Sequence, residues 1–209
     1  QRHAVLPTPI HEAAGLSELS DCRVFVKRDD LTAFGFGGNK ARKLDYLIPE
    51  AIKAECDTLV TMGGNQSNFC RMVAAYGSVH DMKVHLVLGG NKSDHATGNL
   101  KLSQMLGAEC HYVGSSDWDE WEVRAKEVEE ELKLKGRKVY RMPVGGSTPT
   151  GALGYVAAMS EIMDDEKRLG LNFDSIVFAS GSAGTQAGLI VGKSIAKWPG
   201  QVLGFCVAK

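Results

Sequence analysis

The residues of this chain best placed to do chemistry lie in 34–43, FGFGGNKARK, where Lys40, Arg42 and Lys43 follow a glycine-rich turn. Leu44, Leu47, Ile48, Ala51 and Ile52 then recur at helical spacing, which sets the three cations at the start of a helix. The positive end of the helix dipole repels them. A chain that accepts this repulsion offsets it with something anionic, and helix starts approached through glycines bind phosphate through bare N–H groups. The segment therefore predicts an anion pocket containing amines.

Two other loops carry unusual chemistry. An apolar stretch at 58–62 runs into Gly63-Gly64-Asn65-Gln66-Ser67-Asn68, and another at 175–179 runs into Ser180-Gly181-Ser182-Ala183-Gly184-Thr185. In open α/β sheets ligands bind beyond the carboxyl ends of strands, where such loops lead into helices. Small residues in the second loop expose backbone N–H groups, and the Ser182 and Thr185 hydroxyls add donors, so it suits a phosphate. The first loop, richer in side-chain amides, suits a planar polar group or a reacting substrate. A Ser/Gly loop after a strand is more often an ordinary turn and helix cap; the coincidence of two such loops with the Lys40 segment argues for a site. Neither loop is a nucleotide fingerprint: SGSAGT lacks the first Gly-x-Gly of GxGxxG, and GGNKAR lacks the spacing and hydroxyl of a P-loop. His3, His11, His80, His85, His95 and His111 show no ligand or triad spacing, so surface or capping roles are expected and no metal is assigned.

These residues need elements to hold them, and the pattern is alternating. Short apolar, β-branched runs predict strands over 24–27, 58–62, 84–88, 110–113, 138–141, 175–179 and 202–207. Helical periodicity predicts helices over 68–79, 98–106, 118–135, 154–168 and 184–197. Alternation of this kind argues for mostly parallel sheets wrapped by helices, an α/β fold.

Composition narrows the classes. With 209 residues, 44% of them hydrophobic, the chain can build one large or two small cores. A formal net charge of −1 gives no basic footprint for nucleic acid. No run approaches the length of a membrane span, and the N-terminus lacks the order of a signal peptide. The five cysteines, Cys22, Cys56, Cys70, Cys110 and Cys206, are scattered and form no CxxC pair, which fits a reducing cytoplasm.

The runs VFVKRDDLTAFGFGGNKARKLDYL, DTLVTMGGNQSN, PVGGSTPTGALGY and FASGSAGTQAGLIVG, in this order, carry a resemblance that covers essentially the whole chain. It is similar to the pyridoxal-phosphate enzymes of the aminocyclopropane-carboxylate deaminase and D-cysteine desulfhydrase family, within the tryptophan-synthase-β-like fold. The GGNKxRK and QSN blocks are specific for that family. The resemblance implies that Lys40 is the lysine joined covalently to pyridoxal phosphate and Lys43 a cation near the phosphate. Ser182, Ala183, Gly184 and Thr185 then form the phosphate cup, Asn68 bonds the 3-oxygen of the pyridine ring, and Ser67 faces the substrate and assists deprotonation or ring opening. A cationic helix start would depress the Lys40 amine pKa, as a nucleophilic lysine requires.

Two departures from the family pattern stand out. Phe69 and Cys70 follow the QSN asparagine, where a polar residue is common, which bears on the substrate. Family members also run longer at the C-terminus, so the partner of the pyridine nitrogen and an aromatic residue over the ring are expected outside these 209 residues. The implied architecture is two parallel-sheet α/β domains with the cofactor in the cleft between them: a small domain over 43–146, and a larger discontinuous one from 1–42 and 147–209. The implied function is a lyase or deaminase on a small amino acid, with a homodimer as the implied assembly. PVGGSTPTGALGY and SGSAGTQAGL favour the desulfhydrase branch, D-cysteine to pyruvate, sulfide and ammonia. Deamination of 1-aminocyclopropane-1-carboxylate is the runner-up, sulfo-group elimination from cysteate a third option, and a non-catalytic pyridoxal-phosphate-binding protein or fragment the alternative from another class.

Overall fold

A computed structural model describes residues 2–207. The chain begins with a short strand β1 (Ile10–Glu12), a helix α1 (Ala14–Ser20) and a strand β2 (Phe25–Lys27), the two strands pairing antiparallel. Then come α2 (Ala41–Lys53), β3 (Thr58–Gly63), α3 (Asn68–Val79), β4 (Lys83–Leu88), α4 (Gly98–Met105), β5 (Glu109–Tyr112), α5 (Trp118–Leu134) and β6 (Val139–Arg141). The last third holds α6 (Pro149–Leu169), β7 (Ser175–Ser180), α7 (Gly184–Ala196) and β8 (Gln201–Cys206). The expected α/β architecture of parallel sheets and helices is what the chain forms: a four-stranded parallel sheet in the order β5-β4-β3-β6 and a two-stranded parallel sheet β7-β8.

The pleat divides the larger sheet between two cores. Alternate side chains of a strand point to opposite faces. Leu59, Val84, Leu86 and Leu88 pack with Leu44, Leu47 and Ile48 of α2 and Met72, Val73 and Tyr76 of α3. Val60, Met62 and Val87 point the other way, against Trp121, Ala125, Val128 and Leu132 of α5. The spacing of four, three and four along α5 that marked its apolar face in the sequence is the face that lies on the sheet. The smaller sheet is covered on one side only. Ile176, Phe178 and Val202 pack with Tyr155, Met159, Ile162, Leu189 and Trp198, whereas Val177, Leu203 and Phe205 stand outward, Phe205 62% exposed.

The helix α3 starts where expected because Ser67 is its N-cap, its Oγ accepting from the Cys70 N–H at 3.2 Å. The helix α6 starts at Pro149 rather than 154. Thr148 caps it, taking the Gly151 N–H at 3.0 Å, and Pro149 occupies the first turn, where its missing N–H costs nothing. The pair β1 and α1 escaped the sequence reading: the strand spans three residues and the helix lacks both a side-chain cap and a buried residue.

Candidate active site

The first turn of α2 splits its cations between two sides. Lys40 is the N-cap and Lys43 lies one turn on, positions three apart that share a helix face. Arg42 belongs to the other side and is 1% exposed. Its Nε and Nη2 grip Asp29 at 2.8–3.0 Å, Nη1 and Nη2 reach Glu161 of α6 at 2.8 and 2.9 Å, and Nη2 also donates to Thr8 Oγ1 at 2.9 Å. Tyr155 completes the knot, donating to Asp29 Oδ2 at 2.9 Å. These partners raise the Arg42 pKa in spite of burial. Arg42 is thus no member of an anion pocket, as its place in the cation run predicts; two carboxylates of the chain itself satisfy it.

Lys43 meets the opposite environment. It is as buried as Arg42, yet among the described residues its Nζ donates only to the Gly145 carbonyl, at 3.0 Å. Burial, then the charge of Lys40, lowers its pKa to about 8. Lys40 is lowered by burial, so the depression expected from neighbouring charge falls on Lys43 instead.

The second Ser/Gly loop closes over this amine. Ala183 caps α7 with a left-handed backbone (φ 59°) and offers no side-chain acceptor to the N–H groups of the first turn. The hydroxyl of Ser147 donates to Ser182 Oγ at 2.7 Å and accepts from the Gly184 N–H at 3.2 Å. A Cβ on Gly184 would lie 2.6 Å from Ser147 Oγ and 2.8 Å from Lys43 Nζ, so only glycine lets the loop approach the amine this closely. Lys43, Ser147 and 182–185 therefore form a cradle of donors with few acceptors, at the start of a helix. The phosphate of pyridoxal phosphate fits that chemistry, and its charge would restore the Lys43 proton.

The remaining expected residues sit at the start of α3. Ser67 caps the helix. Asn68 accepts at Oδ1 from Asn99 Nδ2 at 2.8 Å, which commits its oxygen and leaves its NH₂ to donate elsewhere. Asn99 is itself held by Gln66, whose main-chain O accepts from Nδ2 at 2.8 Å and whose Oε1 accepts from the Asn99 N–H at 2.9 Å. Phe69, two residues after Ser67, turns into the core: it is 2% exposed, and its ring lies where a Cβ on Gly146 would fall. Its departure from the family pattern is a packing feature.

Sequence reasoning missed three supports. Residues 145–147 touch all three helix starts, through Lys43, Phe69 and Ser182; their signal was the same Gly/Ser run after a strand that marked the other two loops. Arg71 of α3 donates to the carbonyls of Gly35 and Gly37, and Thr32 Oγ1 bonds Gly38 in both directions at 2.9 and 3.0 Å, fixing the turn that delivers Lys40. Asn99 gave no signal. His11 and His95 are exposed and His80 caps the end of α3, as surface or capping roles require, but spacing did not show that His3 pairs with His80 at 2.9 Å and His85 with His111 at 3.1 Å.

The chain is 43% identical over 202 residues to a Pyrococcus furiosus protein provisionally named a 1-aminocyclopropane-1-carboxylate deaminase, covering 97% of this chain and 61% of that protein. It is 36% identical over 216 residues to the mitochondrial bifunctional D-cysteine desulfhydrase/1-aminocyclopropane-1-carboxylate deaminase of Arabidopsis thaliana, covering 98% of this chain and 53% of that one. A crystal structure described as an ACC deaminase homologue superposes with a TM-score of 0.92 at 38% identity, over 98% of this chain and 62% of the other. The chain thus spans about three fifths of the relatives it matches. The family model described as pyridoxal-phosphate dependent enzyme matches residues 2–208, and the chain belongs to that family.

Proposed function

We propose that this chain serves as a pyridoxal-phosphate-dependent lyase on a small amino acid, with D-cysteine the favoured substrate and pyruvate, sulfide and ammonia the products. The observation that carries the reading is the pairing of Lys40 with Lys43 on one turn of α2, with Lys43 enclosed by 145–147 and 182–185. Bound pyridoxal phosphate supplies an electron sink that makes the α-proton of an amino acid labile. The chain supplies the rest. Lys43, the α7 N–H groups and the hydroxyls of Ser182 and Thr185 hold the phosphate. Asn68, its amide oriented by Asn99, would donate to the ring 3-oxygen. The Lys40 amine, its pKa lowered by burial, would hold the cofactor and carry the α-proton. Ser67, whose Oγ accepts from the Cys70 N–H, would face the substrate and share its hydroxyl proton there.

The names of the relatives support a second reading, deamination of 1-aminocyclopropane-1-carboxylate to 2-oxobutanoate and ammonia. In either case the organisation proposed is a small domain over 43–146 and a larger one from 1–42 and 147–209, with the cofactor in the cleft between them.

The test is a visible absorbance titration of the chain with pyridoxal phosphate, followed by D-cysteine or 1-aminocyclopropane-1-carboxylate, beside Lys40→Ala. A Lys40-dependent band that changes on D-cysteine, with sulfide and pyruvate released, is the expected result. Release of 2-oxobutanoate alone selects the second reading. A band without product from either substrate reduces the chain to a cofactor binder, and equal bands in wild type and Lys40→Ala would overturn the site.

A further inference from the structure

The structure holds a second cluster of chemistry at the far end of the larger sheet. His85 of β4 pairs in register with Glu109 of β5, and His111 lies two residues beyond Glu109, so the three side chains share one face. It is the face covered by α5, near the amino ends of the strands, whereas the Ser67 loop lies at the carboxyl end of β3. The cluster opens on a cavity of about 320 Å³ lined also by Glu131 and Lys135.

The distances are those of ligands around one ion. His85 Nδ1 and His111 Nε2 are 3.1 Å apart, and the Glu109 carboxylate oxygens lie 3.6 Å from the first and 3.7 Å from the second. Two ligand atoms about 2.0–2.1 Å from a tetrahedral zinc are themselves roughly 3.3 Å apart. A hydrogen bond between the histidines accounts for the 3.1 Å contact, and Glu109 lies within ion-pair reach of both rings without hydrogen-bonding either. A shared cation accounts for all three groups.

We propose that His85, Glu109 and His111 form a site for a borderline divalent cation of the zinc class, with a fourth position open to water from the cavity. Each imidazole then carries its proton on the outer nitrogen, Nε2 of His85 and Nδ1 of His111. Imidazole with one carboxylate favours zinc, copper or nickel over magnesium or calcium. Lys83, Lys135 and Arg137 line the same cavity against Glu109 and Glu131, and their charge opposes a cation there. Since β5 is the edge strand, the ion would clip that edge to β4 and act on stability, away from Lys40.

The test is calorimetric titration of the purified chain with Zn²⁺, with Co²⁺ absorbance as a reporter of ligand type, on wild type, Glu109→Gln and His111→Gln. The expected result is one saturable equivalent, a higher melting temperature with metal, a Co²⁺ spectrum free of thiolate charge-transfer, and binding weakened about tenfold or more in both variants. Glu109 is 66% exposed as a side chain, so Glu109→Gln keeps the fold and decides the matter if His111→Gln does not. No saturable binding to wild type, binding unchanged by Glu109→Gln, or thiolate bands pointing to the cysteines would each overturn the assignment.

Discussion

Arg42 and Lys43 are neighbours in sequence and equally buried, yet the chain treats their charges in opposite ways. On the Arg42 side, Asp29, Glu161, Thr8 and Tyr155 close a network in which the cation is fully partnered. On the Lys43 side, among the described residues, the amine bonds one carbonyl and faces the Ser147 hydroxyl, the Gly184 backbone and the charge of Lys40. The contrast teaches how a cation built into the fold differs from one proposed to serve a ligand. The first carries its counter-charge within the fold. The second is left short of one, at a cost to the empty protein that an anionic ligand removes.

Four substitutions or conditions would break or sharpen this contrast. Arg42→Met strands Asp29 and Glu161 near the interior, and unfolding in urea should show a loss of about 3–5 kcal/mol; a loss under 1 kcal/mol would put Arg42 on the same footing as Lys43. Lys43→Met should do the reverse. With a folded pKa near 8 against an ordinary 10.5, the unfolded chain binds the extra proton between those values. The cofactor-free protein therefore gains stability as pH rises from 8 to 10.5, and Lys43→Met should flatten that rise, as thermal unfolding across this window would show. Binding of pyridoxal phosphate supplies the missing charge, so its affinity should fall as pH climbs through about 8 in wild type and lose this dependence in Lys43→Met. The smallest effect is expected from Asn99→Ala, which frees the Asn68 amide: about 1 kcal/mol of cofactor affinity, with no change in melting temperature.

Much of this was legible from the residues. The glycine run before Lys40 and the helical spacing after it located α2, and Ser67 followed by Met72, Val73 and Tyr76 located α3 residue for residue. What escaped was what the tertiary fold alone decides. Arg42 reads as one more cation because its partners lie 13 and 119 residues away. His85 and His111 read as scattered because strand pairing, not spacing, brings them together across 26 residues. Phe69 reads as a pocket residue because its position is next to Ser67, whereas the turn of α3 sends it into the core. Residues 145–147 were visible as a motif, but their role as the hub of three helix starts depends on the approach of Gly184.

The outward strip of Val177, Leu203 and Phe205 on the smaller sheet has a consequence for how the chain behaves at the bench. Salts such as ammonium sulfate strengthen apolar association by being excluded from protein surface. A strip of this kind, on a body of nearly zero net charge, will govern salting-out: the chain will precipitate at lower sulfate than its charge composition suggests. Phe205→Ser will move that threshold upward while leaving the folded state within about 0.5 kcal/mol.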